Sequence, residues 1–246
     1  MPIKYLRLFL AITNAFLIVW FKFPRSSREQ KMMLMRDWSA HVLNVMNIRL
    51  TIALATSTSC ANTTHLLVAN HVSWLDVLVI QSMQPRVFVA KSEVSHWPLV
   101  GYLAKACGVI FVDRSSPSSA KKMVEDVTIA LQHGYSVAGF PEGTSSEGHE
   151  VSLFHANLFE AAIHRDIGVL PMALRYTNSE TRSLCLKAAF VGEIGFIKSV
   201  HQIMSQRSIH VDVNFGEPLL PQGHSRRTLA HLSHHSVVNQ LITLQP

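Results

Sequence analysis

The stretch "VANHVSWLDVLVI", residues 68–80, decides how the rest of the chain reads. It opens as the end of an apolar, strand-like run (65–69), passes through Asn70-His71, and continues as an apolar, helix-like run (74–83). A strand feeding a helix is the unit of an α/β fold. His71 falls at the strand end, and Asp76 in the first turn of the helix.

The same alternation continues outward. Further strand-like runs are 86–91, 108–113, 135–140, 167–176, 184–192 and 209–216. Helix-like stretches are 98–105, 118–132, 155–165 and 225–241. Ser116 is a candidate N-cap and Pro117 a first helical residue. The reading is a mixed, largely parallel sheet flanked by helices, spanning 51–246. Pro171, inside a strand-like run, predicts an edge or a bulge.

Residues 1–50 differ in kind. "YLRLFLAITNAFLIVWFKFPR" is the most apolar segment, and its Leu8–Phe21 core of about 14 residues falls short of the about 20 that a span uses. An interfacial or re-entrant helix is expected; no small-residue cleavage site follows the apolar run, as a signal peptide would have. A second helix carries Met35, Trp38, Val42, Leu43 and Met46 on one face, with Arg28, Lys31, Arg36 and Arg49 elsewhere. That face suits a membrane headgroup boundary, or packing on the domain. Turned at Pro24-Arg25-Ser26, the two make an amphipathic, membrane-docking helical hairpin.

Composition points the same way. Of 246 residues, 48% are hydrophobic and only 15% charged, with a formal net charge of +6. Mean hydropathy is +0.20 and the pI is near 9.4. A basic surface favours anionic lipid, nucleic acid or an acidic partner. No nucleic-acid motif accompanies the charge, so lipid is the expected partner. Cys60, Cys107 and Cys185 are widely spaced and odd in number, which fits a reducing compartment. No metal-ligand spacing such as H-E-x-x-H appears, so metal and cofactor are not expected. The C-terminal histidines read as a solvated face.

Four motifs carry chemistry. In the first, His71 and Asp76 are five positions apart. On one helix they would diverge by about 140°. With His71 in the preceding turn, Asp76 can reach back to one ring nitrogen and leave the other as a proton acceptor. Asn70 and Ser73 could cap the helix. A capping residue beside a chance histidine would give the same letters. The second, "GVIFVDR" (108–114), puts Arg114 at a strand end, where a guanidinium holds an anion or an ion pair. The third, "GFPEGTSSEG" (139–148), is a loop of Glu142, Gly143, Thr144 and serines that suits a polar head group or a plain turn. The fourth is "VLPMAL" (169–174).

In this order, N-H-x-S-x-x-D, G-x-I-F-x-D-R, F-P-E-G-T and V-x-P resemble the four blocks of the glycerolipid acyltransferase family, the lysophosphatidate acyltransferase type. The resemblance covers about residues 64–220. It implies that His71 is the general base toward an acceptor hydroxyl and that Asp76 orients it. It implies a thioester donor, acyl-CoA or acyl carrier protein, as co-substrate. It assigns substrate binding to Arg114, Glu142, Gly143 and Thr144, with Lys91 and Ser73 added. The acceptor is a lysolipid, foremost 1-acylglycerol-3-phosphate. A membrane location follows, with the catalytic domain facing the cytoplasm. The family's third block usually continues with arginine, where this chain has Ser145. The loss of a bidentate phosphate contact makes lyso-ornithine lipid or another lysolipid the alternative acceptor, with 1-acylglycerol-3-phosphate kept first as the family's commonest acceptor and Arg114 or Lys91 left to hold its phosphate. A non-catalytic lipid-binding protein would need none of these residues together, and a serine hydrolase would need a G-x-S-x-G elbow that is absent.

Overall fold

The computed structural model describes residues 2–53, 64–113 and 115–245; Cys60 and Arg114 lie outside them. Among the described residues seven strands form one sheet: β1 (Ile48–Ile52), β2 (Leu66–Ala69), β3 (Val87–Lys91), β4 (Ile110–Val112), β5 (Val137–Gly139), β6 (Val169–Asn178) and β7 (Ile209–Phe215). Their order is β1-β7-β6-β2-β5-β3-β4. β2 through β6 run parallel, β7 is antiparallel to β6, and β1 is parallel to β7.

Eight α-helices accompany them among the described residues: α1 (Pro2–Leu17), α2 (Arg28–Val45), α3 (Leu75–Met83), α4 (Val100–Ala106), α5 (Pro117–Gln132), α6 (Phe159–Arg165), α7 (Phe196–Met204) and α8 (Arg226–Thr243). The period-two pleat sorts the core. On β2, Leu67 and Ala69 join a cluster with residues of α1, α2, α3 and α7, while Leu66 and Val68 join one with α5, α6 and α8. On α5, Met123, Val127 and Leu131 recur every four residues and are buried, each worth about 1.5–3 kcal/mol. Its N-terminus is as expected: Ser116 accepts from the Ser119 amide, and Pro117 opens the helix.

Two expectations are corrected. The second N-terminal helix ends at Val45, and residues 48–52 form β1, so the division at residues 50 and 51 falls inside a strand. The run 184–192 is no strand: Leu184 makes one bridge to Thr177, and Leu186–Ala188 form a 3₁₀ turn. Of the edge or bulge expected at Pro171, the bulge is present: β6 is interior, and on its β7 side Val169 pairs with Leu219 and Met172 with Phe215, leaving one extra residue on the far side. Pro171 has no amide hydrogen to offer there, while its carbonyl accepts from the Gly216 amide at 2.9 Å.

The N-terminal hairpin is present, turned by a 3₁₀ segment at Phe23–Arg25. Ser27 then opens α2 with a capping box to Gln30. The expected short apolar core is part of a longer helical run. Pro2–Arg25 is 24 residues, long and apolar enough by length and composition to cross a membrane. Ala11 and Ala15 face inward, while Ile3, Leu6, Phe9, Leu10 and Phe21 are exposed. The apolar face of α2 is not a headgroup face: Val42, Leu43 and Met46 are buried in the core, and Trp38 donates to the Ala11 carbonyl.

Candidate active site

The carboxyl ends of β2, β5, β3 and β4 share one edge of the sheet, the place where α/β folds bind ligands. β2 stops at Ala69 while β6 continues to Asn178. Asn70 bridges the difference. Its side-chain amide donates to the Leu174 carbonyl at 2.9 Å and accepts from the Leu174 amide at 2.8 Å. The side chain thus stands in for the next backbone residue of β2, and neither Asn70 nor Ser73 caps α3.

His71 follows in the turn. Its amide donates to Glu142 Oε1 at 2.6 Å, and its carbonyl accepts from the Ser146 amide at 2.8 Å. The ring stacks on Phe140, with centroids 4.1 Å apart and planes at 13°. Nδ1 lies 2.7 Å from Asp76 Oδ2. Because a carboxylate only accepts, Nδ1 carries the proton of the neutral ring and Nε2 holds the lone pair. Nε2 has no hydrogen-bond partner among the described residues, and the side chain is 23% exposed.

Asp76 has no exposed surface. Its Oδ2 also accepts from the Val72 and Ser73 amides at 2.8 and 3.0 Å, and its Oδ1 accepts from the Tyr176 hydroxyl at 2.7 Å. Four donors compensate the buried charge. The spacing of five works because the backbone turns back over the start of α3. Tyr176 is the residue that sequence reasoning missed. It ends the buried alternation Leu170, Met172, Leu174 on β6, and a tyrosine buried at such a position calls for a hydroxyl partner.

The loop after β5 braces this turn. At Gly139 a Cβ would sit 2.5 Å from Leu158 Cδ2, so α6 packs directly on the strand end. Gly143 takes φ +83°, a left-handed turn that glycine allows. Glu142 is 5% exposed, and its second oxygen accepts from the Ser152 amide at 2.7 Å. Burial raises its carboxyl above the ordinary range, against the two amides that pull it down. Each oxygen accepts one backbone amide, so Glu142 holds the loop to the His71 turn. Ser73 is fully buried and contributes its amide to Asp76. Thr144 is exposed on the loop. Lys91 ends β3 with no side-chain partner among the described residues. Ser145 donates its hydroxyl to the Phe190 carbonyl, tying the loop to the segment before α7. Phe190 in turn packs edge-on against Trp97, 5.9 Å between centroids. On α8, His234 meets the Val151 carbonyl at 3.0 Å, while His231 and His235 are exposed.

An imidazole whose Nδ1 meets a buried carboxylate, at the carboxyl edge of an α/β sheet, has the arrangement that general-base chemistry uses. A family model described as acyltransferase matches residues 51–175. The chain belongs to the acyltransferase family. A lyso-ornithine lipid O-acyltransferase of Rhizobium meliloti (strain 1021) is 35% identical over 173 residues, 66% of this chain and 59% of the relative. A second, from Pseudomonas aeruginosa, is 31% identical over 170 residues, 69% of this chain and 65% of the relative. A 1-acyl-sn-glycerol-3-phosphate acyltransferase of Neisseria gonorrhoeae is 33% identical over 150 residues, 61% of this chain and 58% of the relative. The chain thus matches less than two thirds of the length of these relatives. The crystal structure of the 1-acyl-sn-glycerophosphate (LPA) acyltransferase PlsC from Thermotoga maritima shares the fold, with a TM-score of 0.68 at 17% identity over 98% of this chain and 97% of that one.

Proposed function

We propose that the protein is a membrane-associated O-acyltransferase that moves a fatty acyl group from a thioester to the free hydroxyl of a lysolipid. The observation that carries this is the His71–Asp76 pair, 2.7 Å apart, with Nε2 turned outward at the sheet edge. Nε2 takes the proton of the acceptor hydroxyl as its oxygen attacks the thioester carbonyl. Collapse of the tetrahedral intermediate breaks the C–S bond. The departing thiolate, of coenzyme A or acyl carrier protein, takes the proton back from the imidazolium. Asp76 keeps accepting from Nδ1 throughout.

The exposed apolar face of α1 supports attachment to a membrane, with the acceptor reaching the site from the lipid. For the acceptor, Ser145 favours lyso-ornithine lipid over lysophosphatidate. Its hydroxyl is spent on the Phe190 carbonyl at the place where the family's usual arginine would hold a phosphate. The naming of the two relatives at 35% and 31% identity agrees with that choice.

The test is acyl transfer by the detergent-purified protein, with labelled acyl thioester and the two lysolipids offered in parallel. His71→Ala should lower the rate at least about 100-fold with an unchanged thermal melt. Retained activity in that variant sinks the mechanism. Transfer to lysophosphatidate alone reverses the choice of acceptor.

A further inference from the structure

We propose that Tyr176 is a positioning residue of this site: its hydroxyl, donated to Asp76 Oδ1, holds the carboxylate that keeps the His71 ring turned with Nε2 outward. The inference rests on the reading of His71 as the base and adds the residue that sets how strong a base it is.

The geometry separates the two carboxylate oxygens. Oδ2 faces the turn and serves His71 and two backbone amides, whereas Oδ1 receives Tyr176. Tyr176 reaches Asp76 from across the sheet, 100 residues away in sequence. Its place on β6 is fixed on both sides. Asn70 clamps the Leu174 amide and carbonyl two residues before it, and the Tyr176 carbonyl accepts from the Cys185 amide at 2.9 Å. The ring is 1% exposed, so water cannot replace the hydroxyl. Burial first, and then the adjacent Asp76 charge, push the phenol well above its ordinary range. It therefore stays protonated, and a donor, at any working pH. The other ionisable group in contact with the His71 turn, among the described residues, is Glu142, which bonds the His71 amide from the loop after β5.

A donor on Oδ1 draws charge away from Oδ2. Without it, the buried carboxylate is short of one partner, and a charged imidazolium compensates it better than a neutral ring does. His71 then holds its proton to higher pH, and less free base is present at neutral pH. A packing role alone would predict lost stability with no change in the pH at which the surviving enzyme works.

Tyr176→Phe removes one oxygen and keeps the ring. Expected are a kcat lowered about 10- to 100-fold, from loss of a hydrogen bond to a charged group, and KM values for both substrates within about twofold. The acid limb of the kcat profile should move to higher pH. Site-specific replacement of Tyr176 by a ring-fluorinated tyrosine, a stronger donor of nearly the same shape, should move that limb the other way. It also serves if Tyr176→Phe fails to fold. An unmoved acid limb in both variants overturns the inference. His71→Ala is run alongside. If it is inactive while the Tyr176 variants behave as wild type, only the role of Tyr176 falls; if it is active, the base falls with it.

Discussion

Asp76 and Phe9 mark two extremes of this molecule. The carboxylate has no exposed surface and takes four hydrogen bonds, from the turn after β2 and from β6. The phenyl ring is 65% exposed on a helix where Leu6 and Leu10 are 57% and 56% exposed beside it. One region buries a carboxylate and gives both of its oxygens hydrogen-bond donors, which fixes atoms in place. The other displays apolar surface that water does not favour, which suits it to another phase. Fixed polar geometry and exposed apolar surface thus belong to different parts of the chain, and each can be disturbed alone.

The largest effect is expected at the hairpin. Phe9→Glu combined with Phe21→Glu should reduce binding to lipid vesicles about 100-fold, since each aromatic contributes about 1.5–3 kcal/mol when buried. Flotation measures it, and the domain's melt in detergent should not move. Unchanged flotation would break the contrast. Next comes Asn70→Ala, which strips both partners from the buried Leu174 backbone groups. A loss of about 2 kcal/mol, or roughly 4–8 °C in Tm, is expected with vesicle binding unaffected. A melt within 1 °C or so of wild type would deny Asn70 its role as a strand extension.

The smallest effect concerns Glu142. Its folded carboxyl lies above the ordinary 4.5 because burial outweighs its amide bonds. A carboxyl raised on folding adds stability that is complete below the unfolded value and lost as pH rises through the folded one. The melting difference between wild type and Glu142→Gln should therefore shrink, in favour of the variant, as pH climbs from about 4.5. A difference that grows instead would mean the amides dominate.

Much of this contrast was legible in the sequence. Five of the seven described strands fall within the apolar runs and β6 overshoots its run by two residues, because a strand buried on both faces leaves a short continuous apolar signature. His71 and Asp76 were legible as a pair because both lie in one local turn. Tyr176 was not legible as their partner, since only the sheet brings it 2.7 Å from Asp76. Glu142 was visible as a motif residue, but its letter could not show that both oxygens face backbone amides. The run 184–192 misled for the opposite reason. Its apolar residues Cys185, Ala188 and Ala189 are buried, yet they are held as irregular chain by the Phe190 amide on the Val72 carbonyl. β1 was hidden because helical spacing runs into Ile48, and α7 because no capping side chain announces it.

The pairing of β1 with β7 also sets an order of events. The Ser208 hydroxyl bonds the Asn47 carbonyl across 161 residues, next to the pairing of β1 with β7. At about 5–20 residues per second, synthesis delivers β7 roughly ten to thirty seconds after β1. During that interval the hairpin is already outside the ribosome, its apolar face uncovered and the strand that follows it unpaired. Closing the sheet is therefore among the last steps of folding, and it is taken by a chain whose N-terminal end has had time to find its surroundings first.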